Sequence, residues 1–319
     1  MLGHFGPRIL GGFAPLGVEM FFILSGRLMA EVLIVRRQAL STFVVRRASR
    51  ILPLVLLYSL VVGVGLGLAQ LLAGTVVNWL SPLASLLFFS NYLANPEPLL
   101  EHTWSLAVEE HSYLLLVLVA WLSARKPTIA GLLSFAIAGC MVLNGAFLFH
   151  GGEKTVPYVF WRSDVRSASV LLSFALFLLL QRWRPSPRAM SAWLSPICLL
   201  AAGLSMFATY PVTPLTMTAC TFFAAISVNT IEFAAPAYRR LLSTNVLTWL
   251  GMLSFSIYIW QQPFFMATKG GIPSILALPL TLACAIWSYL RVETPARRFL
   301  NRRWDERRDA KSPVGLTAS

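Results

Sequence analysis

The sequence predicts an all-α, polytopic transmembrane helical bundle, and three observations carry that reading. Of the 319 residues, 57% are hydrophobic and 12% are charged, against roughly 45–50% apolar and about 25% charged in soluble domains. Mean hydropathy is +0.69. Apolar runs long enough, or nearly so, for the ~20-residue helix that crosses a bilayer recur along most of the chain. A soluble globule is excluded. The formal charge of +13 would point to nucleic acid in a soluble protein. In a membrane protein it is accounted for by basic cytoplasmic loops and contact with anionic lipid. Membrane lipid is therefore an expected partner and nucleic acid is not.

The runs at about 17–35, 51–74, 104–123, 128–149, 166–181, 190–209, 213–231, 245–267 and 273–290 predict nine crossings. A tenth, 80–94, is shorter and bounded by Pro82 and by Asn95-Pro96, which fits a re-entrant or interfacial helix. Charge sets the orientation. With 17–35 running from outside to inside and 80–94 not crossing, the inner segments hold 20 of the 26 basic residues, including Arg36, Arg37, Arg46, Arg47, Arg50, Arg125, Lys126, Arg239 and Arg240. The C-terminus is then cytoplasmic. The first twelve residues hold no signal-like apolar region, so an outside N-terminus leads to the expectation of a further helix before residue 1. Residues 1–299 are read as one transmembrane domain and 300–319 as a disordered cytoplasmic tail. Cys140, Cys198, Cys220 and Cys284 lie far apart in apolar runs and read as small core hydrophobes, and no histidine spacing indicates a metal.

Acidic residues are few, so their placement informs. Glu97, Glu101, Glu109 and Glu110 fall within fourteen residues, beside His102 and His111. In a helix starting near His102, the residues His102, Leu106, Glu109 and Tyr113 share one face. Ionisable groups in a span usually face a cavity with a partner, which makes this stripe, expected at the outer face, a candidate site. An interfacial belt anchored by Trp104 and Tyr113 fits equally well. Arg46, Arg47 and Arg50 lie at helical spacing before Pro53 at the cytoplasmic face. They suit a multiply phosphorylated ligand such as coenzyme A, and equally a topology signal facing anionic lipid. Glu19 and Arg27, eight residues apart in the first span, could pair within the bundle.

Five segments taken in order, GGFAPLGVEMFFILSG, RRASRILP, HTWSLAVEEHSYLL, LGMLSFSIYIWQQPFF and YLRVETPARRF, resemble the motif series of the acyltransferase-3 membrane family, whose bacterial members O-acylate carbohydrates. The resemblance runs from residue 4 to about 299. It implies ten helices, of which the first is missing here, an acyl-CoA (acetyl-CoA) co-substrate bound by Arg47 and Arg50 with Arg46 nearby, and an essential histidine that His4 matches by position. It matches His102, Trp104, Leu106, Glu109 and Tyr113 to a family pattern. Glu19 replaces a more usual Asp, and Gln261 stands where His is common. The implied activity is transfer of an acyl group from acyl-CoA to a hydroxyl of a carbohydrate or glycolipid acceptor in the bacterial inner membrane. His4 would be the general base, Glu109 or His102 would orient it or the acceptor, and Trp104, Tyr113 and Glu19 would contact substrate. Two alternatives are an inactive truncated member and a transporter lined by Glu19, Arg27 and Glu109. The transporter predicts inverted repeats, and none is found in the sequence.

Overall fold

The computed structural model describes residues 13–149, 159–183, 190–207 and 213–311. Among these residues the chain is helical and holds no strand. The helices are α1 (Phe13–Ala30), α2 (Leu40–Leu72), α3 (Leu80–Leu86), α4 (Trp104–Leu122), α5 (Pro127–Leu148), α6 (Ser163–Arg166), α7 (Ala168–Trp183), α8 (Leu194–Phe207), α9 (Pro214–Asn229), α10 (Pro236–Leu242), α11 (Asn245–Lys269), α12 (Ser274–Ser288) and α13 (Thr294–Lys311). Their starts follow local chemistry. α5 and α10 open on Pro127 and Pro236, where the missing N–H is one the helix leaves unpaired anyway. At α9 the side chains of Thr213 and Thr216 accept each other's backbone N–H, a reciprocal cap with Pro214 between them. Wider π turns extend α1 over Glu31–Val35 and join α12 to α13 over Tyr289–Glu293.

By length and composition five helices qualify as membrane spans: Leu40–Leu72, Glu101–Leu122, Pro127–Leu148, Ser163–Trp183 and Ser274–Ala310. The pair Pro236–Leu242 and Asn245–Lys269, bent by 51°, brings the number to six. α8 and α9 are apolar but hold 14 and 16 residues, about 21 and 24 Å of helix against a hydrocarbon core of ~30 Å. The expected nine crossings are therefore not reached on this criterion among the described residues. α3 has seven residues, about 10 Å, too short to cross.

Relative directions follow from the contacts. Gln70 meets Glu97, Tyr58 meets Leu99, and Arg47 meets Glu109 and Glu110, so α2 runs antiparallel to the 97–110 stretch and α4. Glu19 meets Arg166 and Thr221, and Arg27 meets Phe177 and Val228, so α1, α7 and α9 run parallel.

Of the apolar clusters among the described residues, three join α1, α2 and α4 to their neighbours. Phe22, Leu33, Val108, Leu116 and Phe174 join α1, α4 and α7. Leu54, Tyr58, Leu106, Phe255 and Ile259 join α2, α4 and α11. Ile23, Ala202, Cys220 and Ala224 join α1, α8 and α9. Outward-facing Leu56, Leu60, Val64 and Leu68 on α2, and Leu132, Phe135, Leu143 and Phe147 on α5, are exposed. An apolar surface that extensive suits lipid contact.

Two expectations are corrected here. Residues 300–311, read as disordered, continue α13, which is held against α2 by Arg46 to Asp305 at 3.1 Å and Ser49 to Asn301 at 2.9 Å. Polar composition concealed a helix whose order comes from these tertiary contacts. Cys140, read as a core hydrophobe, is exposed on α5.

Close packing of α1 on α7 depends on Gly26, where an added Cβ would lie 2.1 Å from the Val170 carbonyl oxygen, whereas one at Gly17 would meet nothing within 4 Å. Gly26→Ala should therefore destabilise the purified protein by at least the ~1–3 kcal/mol typical of overpacking, seen as a lower midpoint in detergent thermal unfolding. Gly17→Ala should leave the midpoint near that of the parent.

Candidate active site

The α4 face expected from sequence exists: His102, Leu106, Glu109 and Tyr113 are all buried. Glu109, at 0% exposure, is its centre. Its carboxylate is paired with the Arg47 guanidinium from α2 and accepts hydrogen bonds from the Ser25 hydroxyl of α1 at 2.6 Å and from the Tyr113 hydroxyl one turn along α4. Arg47 also lies 3.3 Å from Glu110 and stacks over the Tyr113 ring with 4.2 Å between guanidinium carbon and ring centroid. Three helices thus meet at one buried carboxylate. A charge so placed needs a partner and hydrogen bonds to be tolerated, and here both are supplied.

The polar stripe and the arginines were expected at opposite membrane faces, yet Arg47 and Glu109 are in contact. The reason is that α2 starts at Leu40 and not near residue 51, so Arg47 lies inside the long helix and not in a loop before it. Arg46 is exposed and bound to Asp305, and half-buried Arg50 lies within electrostatic range of Glu293, a carboxylate at the π turn that also accepts from Ser256 at 2.9 Å. The three arginines therefore form a graded series from rim to interior.

One helical turn before Leu106, the His102 ring lies edge-on to Tyr58 at 5.4 Å and tilted against Tyr258 at 5.3 Å. Tyr258 donates its hydroxyl to the His102 carbonyl and shares a hydrogen bond with Ser105. Trp260 packs edge-on to Tyr58 and donates to Ser288 at 3.0 Å, Gln262 donates to the Pro98 carbonyl at 2.7 Å, and Gln261 is buried beside them. The α11 segment that looked like a motif thus walls the His102 side of the α4 segment.

Trp104 stacks on Trp161 with centroids 5.7 Å apart and meets Phe22 edge-on. His111 bonds Ser163 at 2.7 Å and faces Phe89 and Tyr92, away from Glu109, as its offset around the helix requires. His4 and His150 lie outside the described residues. Glu19 does not pair with Arg27. Eight residues of helix separate the two by about 12 Å; Glu19 pairs with Arg166, and Arg27 donates to the Val228 carbonyl over Phe177. Sequence reasoning missed Ser25, Arg166 and Thr221. Arg166 opens the apolar run at 166–181, and a charge on the first turn of a span, together with small hydroxyl residues inside apolar helices, is the pattern such a pair leaves.

The profile of the acyltransferase-3 family's acyltransferase domain matches residues 2–290. The chain belongs to that family. Among relatives, the peptidoglycan O-acetyltransferase OatA of Listeria monocytogenes is 26% identical over 91% of this chain and 52% of its own length. YrhL of Bacillus subtilis, provisionally named a peptidoglycan O-acetyltransferase, is 27% identical over 90% of this chain and 51% of its own. The chain thus spans about half the length of these relatives. No solved structure gives a significant match.

Removing one partner of the central pair strands the other charge. Arg47→Met alone should cost about 3–5 kcal/mol of stability, and adding Glu109→Gln should recover most of it. Thermal unfolding of the single and double variants checks this, and simple additivity of the two effects would disprove the coupling.

Proposed function

We propose that this acyltransferase-3 family member is a membrane O-acyltransferase that moves an acetyl group from acetyl-CoA to a hydroxyl of a cell-wall glycan such as peptidoglycan. The buried Arg47–Glu109 assembly beside the His102 ring cluster is the observation that carries the reading. Paired ionisable groups inside an apolar bundle cost stability and are kept where they serve a site. The names of relatives as peptidoglycan O-acetyltransferases support the acetyl group and the glycan acceptor.

In this reading the basic rim is cytoplasmic, in the bacterial inner membrane, and Arg46, Arg47 and Arg50 receive the phosphates of the donor. Arg46 and Arg50 are the outer contacts. Arg47, already engaged by Glu109, links the donor's arrival to the carboxylate and through it to Ser25 on α1. His4 is the general base: it takes the proton of the acceptor hydroxyl as that oxygen attacks the thioester carbonyl, the C–S bond breaks, and the proton passes to the departing thiolate to give free CoA. Glu109 and His102 hold the polar wall along which this happens. Trp104 and Tyr113 lie within the packed wall, so their contribution is the shape of the site, whereas Glu19 is held by Arg166 and Thr221 apart from Glu109.

The test is acetyl transfer from radiolabelled acetyl-CoA to glycan strands by the purified membrane protein. His4→Ala should lose at least the ~10²–10⁴-fold that general-base catalysis supplies, with expression unchanged. Arg50→Gln should raise the KM for acetyl-CoA far more than it lowers kcat, because it removes phosphate contact and not chemistry. Near-parent transfer by the His4 variant would sink the mechanism.

A further inference from the structure

Each of the three arginines assigned above to the donor's phosphates already faces a carboxylate. The pairs differ in how readily they open. Arg47 is held by Glu109 and Glu110, and parting it from Glu109, which has no exposure, would strand a buried charge. Arg50 is half-buried within electrostatic range of Glu293, itself buried and anchored by Ser256. Arg46 is the exception. Its Nη2 lies 3.1 Å from both carboxylate oxygens of Asp305, and the two side chains are 46% and 36% exposed. An exposed pair of this kind is worth little, so another anion can take the place of Asp305 at small cost.

Asp305 also differs from the acids beside it. Glu306 and Asp309 meet Arg302 and Arg308 on α13 itself, at 3.5 and 3.6 Å. Asp305 instead reaches across to α2. Docking of α13 has other ties on either side of that contact: Ser49 donates to Asn301 at 2.9 Å, and the Trp304 indole N–H donates to Thr42 at 3.4 Å. What Asp305 adds is a negative charge on the most exposed arginine of the donor site. A guanidinium binds phosphate in the same fork that it offers to a carboxylate, so the two ligands exclude each other there.

Acyl transfer creates a need for such a charge. The reaction removes only the acetyl group, so CoA departs with every phosphate that acetyl-CoA brought, and arginines that hold the donor hold the product as firmly. A carboxylate beside them lowers the affinity for both and lets the product go. We propose that Asp305 is a built-in competitor for the donor's phosphate at Arg46, displaced as acetyl-CoA binds and restored to Arg46 as CoA leaves. This inference rests on the O-acyltransferase reading and on its assignment of the donor to Arg46.

Equilibrium binding of radiolabelled CoA to the detergent-solubilised full chain at physiological salt tests it. Asp305→Asn keeps the shape and removes the charge. It should tighten CoA binding about 2–5-fold, slow CoA dissociation, and lower both the KM for acetyl-CoA and the inhibition constant of CoA in the transfer assay. Asp305→Ser should act in the same direction, and Asp305→Glu, which restores the charge, should return the parent affinity. Glu306→Gln makes the same change in net charge one residue along α13 and should leave CoA binding near the parent value. The gain from Asp305→Asn should shrink in high salt, because an exposed charge is screened. CoA binding that Asp305→Asn leaves unchanged or weakens makes Asp305 a structural tie and overturns the proposal alone. Equal tightening by Glu306→Gln overturns it too, since net charge and not position is then the cause. Failure of the parent and of every variant to bind CoA overturns the donor assignment and this inference together.

Discussion

A carboxylate with no exposure inside an apolar bundle is tolerable only if the fold brings charge and protons to it, and Glu109 imposes that demand on three helices at once. α2 must pass close enough for Arg47 to reach it, α1 must present Ser25, and α4 must hold Tyr113 one turn away. These requirements fix the relative rotation of α1, α2 and α4 more tightly than apolar packing could, because apolar side chains of similar volume exchange with modest cost whereas a stranded charge does not. The apolar clusters on either side of α4 then fill the space that the polar contact has already defined.

α1 carries the same logic twice. Glu19 and Ser25 lie six residues apart and serve different polar centres, with Phe22 between them under the Arg166 guanidinium and against Trp104. A helix with an acid, a serine and an arginine in its interior would be expensive in lipid if it stood alone. It is affordable here because α7 and α9 run parallel to it and Gly26 lets α7 approach to backbone contact. Polar groups in this span therefore face protein, while Leu24 and Leu28 of the same helix remain exposed on another side.

The basic end of the bundle is also built and not merely charged. α12 continues through a π turn into α13, and α13 returns along the N-terminal part of α2 with Asp305 on Arg46 and Asn301 on Ser49. The turn places Glu293 where Ser256, Arg297 and Arg50 all reach it. π turns are frequent at functional positions, and this one lets a buried carboxylate sit beneath the arginines without breaking the long helix.

By itself the sequence determined the helical class, the places of most helices and the shared face of His102, Leu106, Glu109 and Tyr113, because apolar run length and the 3.6-residue repeat are local properties that survive without knowledge of neighbours. It also indicated that 80–94 holds only a short helix, read from the length of the run and the prolines that bound it. It did not determine partners. Glu19 looked toward Arg27 within its own span and is paired with Arg166 from another helix, Arg47 looked like a loop charge and reaches Glu109, and residues 300–311 looked disordered and are ordered against α2. Each of those outcomes depends on which helix lies beside which, and that choice is made by long-range packing and charge compensation, which no window of sequence contains.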